Sequence, residues 1–280
     1  MKLTQLVSAM VLGASALLGA SAPAQAAIAT DIIMMVDESG SMSDVQTNLR
    51  NNIGAFAAIL SAGGVDARYG LIGYGSSAVA PHMLSNFTTA AGFAAAALGL
   101  VVNGGTEPGY SATAFALNAI DAQASLFSYR PNALKNLIIF TDEPSNGDGC
   151  GGCLTGGNAT TQADADALLT SNGALFNAVL RNANTIDSYD ELYNAHSGHL
   201  YDLNGLNTND QTVVSAFVND FANSKLQEIV DYCTLNPTDP ACSANNVPEP
   251  GTLSLFGLAA LGIGLTQRRR ARAADSLLGA

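Results

Sequence analysis

Three observations predict an α/β fold: a doubly wound sheet of about six mostly parallel strands, with one antiparallel edge strand and helices on both faces. First, runs such as Ile32-Ile33-Met34-Met35-Val36 and Leu137-Ile138-Ile139-Phe140 are apolar at every position rather than at alternate ones, as strands covered on both faces must be. Second, these runs alternate with stretches whose apolar residues recur at helical spacing, the strand-helix-strand rhythm of a parallel sheet. Third, both runs lead into aspartate-bearing turns, Asp37-Glu38-Ser39-Gly40-Ser41 and Thr141-Asp142-Glu143, at the carboxyl ends where open α/β sheets hold ligands.

Taken in order, residues 32–36 form the first strand. Residues 43–62 form a crossover helix, with Val45, Leu49, Ile53, Phe56, Ala57 and Leu60 at helical spacing and Gly63-Gly64 as its stop. Residues 67–74 read as the second strand and 78–87 as a short edge strand returning antiparallel. The alanine-rich stretch 88–102 predicts a helix. So do residues 111–127, where Phe115, Leu117, Ile120 and Leu126 line one face before Pro131 starts a turn. The central fourth strand, 137–140, precedes a loop at 143–160 rich in Gly, Asn and Ser. A loop of that length is either functional or a tolerated surface insertion. A helix at 162–170, a strand at 174–180, a short helix at 189–196 and a strand at 199–203 follow. Residues 210–232 end this stretch as a long amphipathic helix offering Val213, Val214, Phe217, Val218, Phe221, Leu226, Ile229 and Val230 to the sheet.

Asp37-x-Ser39-x-Ser41 sets one carboxylate and two hydroxyls on one turn, an all-oxygen set suited to a hard cation. Capping of the next helix by Ser39 and Ser41 would account for the hydroxyls alone. The stretch resembles the first segment of the metal-ion-dependent adhesion site of von Willebrand factor type A (VWA) domains, a Rossmann-like fold, and two further segments follow in the family's order. Gly104-Gly105-Thr106 is similar to the family's threonine loop, and Leu137-Ile138-Ile139-Phe140-Thr141-Asp142 resembles its second aspartate-bearing strand. The resemblance covers roughly residues 30–232. It implies that Asp37, Ser39, Ser41, Thr106 and Asp142 hold Mg²⁺ directly or through water, with Mn²⁺ or Ca²⁺ as substitutes, Asp142 alone or Asp142 and Asp37 together acting through water. It also implies that an acidic group of a protein or polysaccharide partner fills the open position on the ion. The sequence departs from the common pattern at Glu107-Pro108 and at Glu143, which stands where a glycine is often found. Extra carboxylates there weaken the ion's pull on an acidic partner. Glu107, Glu143, Cys150 and Cys153 are therefore the residues expected to shape partner choice.

The two ends carry addresses. Residues 1–26 combine Lys2, an apolar stretch at 6–20 and Ala24-Gln25-Ala26, the pattern of a secretory signal peptide cut after Ala26 or Ala27. Near the other end, Val247-Pro248-Glu249-Pro250 precedes an apolar segment at 252–266 and then Arg268-Arg269-Arg270-Ala271-Arg272. That segment reaches about 22 Å as a helix, short of a hydrocarbon core of ~30 Å, so crossing at 252–267 needs a thinned bilayer. Its arginines should stay cytoplasmic. The arrangement resembles the PEP-CTERM sorting signal of Gram-negative bacteria, which implies export by the secretion machinery and cutting near Pro248-Glu249-Pro250 by a membrane exosortase. A permanent single-pass anchor fits the same composition. The organisation read from this is a signal peptide at 1–26, the VWA-like domain at 27–235, a spacer at 236–246, the sorting signal at 247–272 and a cytoplasmic tail at 273–280.

Removing both ends takes Lys2 and four arginines from 11 basic residues and Asp275 from 23 acidic ones, leaving 6 against 22 and a formal charge of −16. Such a surface repels nucleic acid and anionic lipid. It repels an acidic partner as well unless a cation bridges the two. The four cysteines fit an oxidising compartment, and local bridges Cys150–Cys153 and Cys233–Cys242 are the simplest of three pairings. A four-thiolate zinc site is the rival, although the usual second close pair is missing. His196 and His199, split by Ser197-Gly198, suit solvated or capping roles. No Gly-x-Ser-x-Gly elbow surrounds Ser39 or Ser41, and His82, His196 and His199 form no zinc-protease pattern, so no enzyme is expected. The expected function is metal-dependent recognition at the cell surface or in the extracellular matrix. The alternative is a structural component of a biofilm or exopolysaccharide matrix, in which the ion only clamps three loops.

Overall fold

A computed structural model describes residues 27–242; the leader expected at 1–26, the end of the expected spacer, the sorting signal at 247–272 with the crossing segment expected at 252–267, and the tail expected at 273–280 lie outside them. The strands are β1 (Ile28–Asp37), β2 (Val65–Tyr74), β3 (His82–Thr88), β4 (Leu134–Thr141), β5 (Leu154–Thr155), β6 (Asn158–Ala159), β7 (Leu175–Leu180) and β8 (Leu200–Asp202). The α-helices are α1 (Ser43–Ala62), α2 (Ala90–Ala96), α3 (Gly109–Ala116), α4 (Gln162–Asn172), α5 (Ala183–Ala195) and α6 (Gln211–Leu235). Six strands form one sheet in the order β3-β2-β1-β4-β7-β8, parallel throughout except for β3, which runs antiparallel to β2. The predicted doubly wound α/β sheet with its antiparallel edge is thus present.

β1 is central because it has no water-facing side: every residue from Thr30 to Asp37 is buried. Its side chains alternate between two cores. Ile32, Met34 and Val36 face α1, α2 and α6, where Phe56 stacks on Phe221 with ring centroids 5.1 Å apart. Ile33 and Met35 face α3, α4 and α5, packing with Ile139, Phe176 and Tyr189. The chain winds from β1 outward to β3, then crosses back to β4 on the other side of β1. The sheet therefore changes winding direction between β1 and β4, and in such folds that point opens a crevice at the carboxyl ends of the strands.

Several expected boundaries move, each for a visible reason. β1 starts at Ile28 rather than residue 32, because the polar Thr30 and Asp31 are paired inside: Thr30 Oγ1 donates to the Leu134 carbonyl and Asp31 accepts from two arginines. The helix expected at 88–102 is α2 followed by a 3-10 turn, Ala97–Gly99, and Leu100 is already extended. The helix expected at 111–127 ends at Ala116. Asn118 there adopts a left-handed φ of 61°, and its amide clamps the chain's return, donating to the Phe127 carbonyl at 3.0 Å and accepting the Phe127 N–H at 2.8 Å. Leu126 is consequently 58 % exposed instead of lining the core, and Phe127 is the buried residue. α5 begins at Ala183, six residues before the expected 189, because the Asn182 side chain caps it through the Thr185 N–H. On α6, Val213 is 44 % exposed, whereas Lys225 and Glu228 occupy buried positions.

Both local disulfides, Cys150–Cys153 and Cys233–Cys242, are formed, which removes the four-thiolate zinc alternative. The histidines also have other partners. His196 ends α5 and pairs with Asp166 at 2.8 Å, so its side chain is less solvated than expected, and His199 lies 3.5 Å from Glu228. Among the described residues no helix is long and apolar enough to cross a membrane.

Candidate functional site

The crevice beside β1 and β4 is built by three loops held together through polar side chains. β1 delivers Asp37, fully buried, whose Oδ1 accepts the Ser39 N–H at 2.6 Å and whose Oδ2 accepts the Thr141 hydroxyl at 2.9 Å. Ser39 Oγ lies 3.2 Å from Ser41 Oγ, and Ser41 Oγ donates to Asp142 Oδ1 at 2.9 Å. A continuous polar chain therefore joins the ends of β1 and β4. Asp142 is fixed from behind: its carbonyl accepts from Asn182 Nδ2 and Thr185 Oγ1, both at 2.9 Å, and its Oδ2 pairs with Arg181 Nη1 at 2.9 Å.

The third loop arrives through backbone. Ser39 forms an isolated parallel bridge with Gly104, the Gly40 N–H donates to the Gly104 carbonyl, and the Asn103 and Gly104 N–H groups donate to the Glu38 carbonyl. Gln46 of α1 locks the arrangement by donating to the Asp37 and Val101 carbonyls. Gly75, at a φ of 75°, lets Thr106 approach: a Cβ there would sit 3.2 Å from the Thr106 carbonyl and 3.4 Å from Asp37 Oδ1. Asp37, Ser39, Ser41 and Asp142 thus lie along one run of the loops that join β1 and β4, and the Thr106 backbone comes alongside, with Ser41 exposed and Thr106 half-buried. Gly104 tolerates no side chain, because a Cβ would collide with the Gly75 carbonyl. Gly104→Ala is expected to cost about 1–3 kcal/mol of stability through overpacking. Urea unfolding measures that cost, and an unchanged midpoint would contradict the close approach.

The electrostatics of the crevice are unusual. Burial pushes Asp37 up to about 7, against the hydrogen bonds from Ser39 and Thr141, and repulsion from Glu107 adds to the rise. Burial also raises Glu107, against the Asn146 amide that donates to its Oε2 at 2.8 Å, and Glu143 and Asp142 push in the same direction as burial. Glu38 is raised by burial too, although the Val101 N–H and His82, 3.7 Å away, oppose it. Glu107 Oε1 and Glu38 Oε2 are buried without a hydrogen-bond partner. Among the described residues no group of three or more His, Cys, Asp or Glu is arranged to hold a metal ion. The convergence is instead two carboxylates with hydroxyls.

The loop expected at 143–160 is more ordered than its composition implies. Asp148 accepts from Ser111 N, Ser111 Oγ and Ser145 Oγ, each at 2.8 Å, β5 and β6 form a two-stranded hairpin, and Cys153 is buried. Glu143 is exposed at the loop's start, beside Glu107. Sequence reasoning missed Thr141, Arg181 and Gly75. Thr141 was findable, since a hydroxyl one residue before Asp142 on a strand between two aspartate turns has few other partners; Arg181 lies 39 positions from Asp142 and carried no signal.

The sequence matches the family model of the von Willebrand factor type A domain over residues 31–229. The chain belongs to the VWA domain family. Residues 246–270 match the PEP-CTERM protein-sorting motif, which indicates a VWA protein exported by way of exosortase. Among solved structures, the VWA domain is similar to that in "Crystal Structure of the SpRpn10 VWA domain", at 14% identity, covering 62% of this chain and 87% of that one with a TM-score of 0.44. A search of curated proteins gives no match.

Proposed function

We propose that this VWA domain is a cation-dependent recognition module on an exported surface protein. Asp37, Ser39, Ser41, Thr106 and Asp142 take up Mg²⁺, or Mn²⁺ or Ca²⁺ in its place, and the ion captures an acidic group of a protein or polysaccharide partner. The observation that carries this reading is the Ser39–Ser41–Asp142 chain of hydroxyls and carboxylate, which brings together residues 101 positions apart at the winding reversal of the sheet. The donor set fits the ion: all donors are oxygen, as hard divalent cations prefer. Asp37 fits it too, since a buried carboxylate raised to about 7 gains most from a nearby positive charge. Once bound, the ion would supply Lewis acidity toward an anionic oxygen. The chain's own residues orient it and shield it from bulk water.

The loop beginning at Glu143 and braced by Cys150–Cys153 borders the crevice and is the proposed partner-selecting element. Exosortase and the secretion machinery are partners in processing, and the formal charge of −16 on residues 27–250 disfavours nucleic acid. A second reading has a specific observation in its favour. Glu107 and Glu143 add negative charge beside the crevice, which suits an ion that only clamps three loops in a matrix protein.

Capture of material from culture matrix by the full protein, with Mg²⁺ or with EDTA, separates the two readings. Wild type is expected to capture in Mg²⁺ alone, and Asp37→Ala in neither condition. Capture that persists in EDTA while the melting temperature falls would leave only the clamp.

A further inference from the structure

Under α6, five residues down β4 from Thr141, lies a buried cluster that the recognition reading does not use. Lys225 is fully buried, as are Asn136 of β4 and Asn177 of β7, and Glu228 is 5% exposed. Lys225 Nζ donates to Asn136 Oδ1 at 2.9 Å and to Glu228 Oε1 and Oε2 at 3.1 and 3.0 Å. Asn177 Nδ2 donates to Glu228 Oε1 at 3.1 Å and reaches Asn136 Oδ1 at 3.5 Å. Asn136 Nδ2, the other half of the same amide, is buried with no hydrogen-bond partner. An ordinary buried ion pair would favour an amide whose donor was satisfied as well.

We propose that Lys225 and Asn136 join in an intramolecular isopeptide bond, with Glu228 as the proton-transfer group. The reacting atoms are in reach: Asn136 Cγ is one carbonyl bond of about 1.2 Å from Oδ1, which puts it within about 4 Å of Nζ. Two groups held this way in a dry pocket behave as though at very high concentration, which is how an otherwise sluggish aminolysis of an amide proceeds. Burial lowers Lys225 from its ordinary value, with Glu228 opposing, so the free amine is more accessible than in water.

The step balances without any co-reactant. Glu228 takes one proton from the Lys225 ammonium, and the freed Nζ attacks Asn136 Cγ, with Asn177 Nδ2 polarising the carbonyl oxygen. As the Nζ–Cγ bond forms, the nitrogen's second proton passes to Nδ2 and the Cγ–Nδ2 bond breaks. The departing ammonia takes the first proton from Glu228 and leaves as ammonium, so Glu228 ends as the carboxylate it began as. His199 Nδ1, half-exposed, lies 3.5 Å from Glu228 Oε2 on the solvent side of the cluster. The product ties α6 to β4 across 89 positions of chain, a covalent brace suited to a protein that works outside the cell.

Intact mass of the folded full chain, reduced and unfolded just before measurement, tests this directly. Wild type is expected to be lighter than its sequence by one ammonia, and proteolysis is expected to give a branched peptide joining the segments that contain Asn136 and Lys225. Lys225→Met and Glu228→Gln are each expected to show the full mass. Full mass in wild type that was folded, with both disulfides formed, before the reduction step would overturn the proposal. So would an ammonia loss that maps to a succinimide at an Asn-Gly pair such as Asn146-Gly147, or a crosslink that forms unchanged in Glu228→Gln.

Discussion

Asp37→Asn is expected to stabilise the metal-free domain at pH 8, by about 2–4 kcal/mol, and to abolish its response to Mg²⁺. The gain follows from where the carboxylate sits. Asp37 is fully buried, and burial raises it from 3.8 to about 7. At about 1.4 kcal/mol per pKa unit, keeping it ionised in the folded state costs about 4 kcal/mol. Asparagine removes that charge without orphaning its neighbours. Its carbonyl oxygen accepts the Ser39 N–H, and its amide donates to Thr141 Oγ1, whose own proton turns from this side chain to the Glu143 carbonyl, 3.2 Å away.

The pH dependence fixes the sign. In the unfolded chain Asp37 loses its proton near 3.8, whereas in the folded domain it keeps it up to about 7. Between those values the folded state binds the extra proton, so the group's contribution is full below about 3.8 and is lost as pH rises through 7. Wild type and Asp37→Asn should therefore converge in stability toward pH 4 and separate toward pH 8, as read by urea unfolding in EDTA. A divalent ion replaces the proton, so Mg²⁺ affinity of the wild type should fall as pH drops below about 7. An Asp37→Asn domain that is the weaker of the two at pH 8 in EDTA would show that the carboxylate is not the uncompensated charge described here. Sites that hold such charges commonly trade stability for function.

How much of this was readable in advance depends on how local each signal is. The sheet, its antiparallel edge and the neighbouring Asp37, Ser39, Ser41 and Asp142 were legible because fully apolar strands and oxygen-bearing turns are written in consecutive residues. The short α3 was not, because Phe115, Leu117 and Ile120 keep helical spacing through a segment that Asn118 and Ala122 turn with positive φ. An asparagine that clamps Phe127 from nine residues away leaves no trace in periodicity. The polar partners under α6 were invisible for the same reason: Lys225 and Glu228 are not among the apolar residues that the helix's periodicity offers to the sheet, and only Asn136 and Asn177 on β4 and β7 make them interior residues. At the crevice, the sequence named the oxygens but not what holds them, since Thr141, Arg181 and Gly75 act through contacts made only once the chain folds.

Asp31→Ala is expected to cost about 3 kcal/mol of stability while leaving the Mg²⁺ response intact, the opposite profile to Asp37→Asn on the same strand. Asp31 is as buried as Asp37, yet its charge is answered. Oδ1 accepts from Arg68 Nε and Arg130 Nε, both at 2.9 Å, and Oδ2 accepts from Arg68 Nη2 and the Arg130 N–H, both at 2.7 Å. Arg130 extends the network to Asp66 Oδ2 at 2.6 Å and to the Thr30 carbonyl at 2.8 Å. Removing the shared acceptor leaves two guanidiniums facing each other, and breaking one partner of a buried pair costs about 3–5 kcal/mol. The lower end applies because the side chains of Arg68 and Arg130 are 32% and 24% exposed and can turn toward water. Asp31 lies six residues before Asp37, about 20 Å along the strand, so its loss should lower the unfolding midpoint in EDTA and in Mg²⁺ alike. A loss of the Mg²⁺-induced shift in Asp31→Ala would mean that the two ends of β1 are coupled. An unchanged midpoint would mean that the arginines find water as good a partner as the carboxylate. The two aspartates differ only in what meets them: guanidiniums make one a brace, while a hydroxyl and an N–H leave the other short of positive charge at the crevice where a cation would bind.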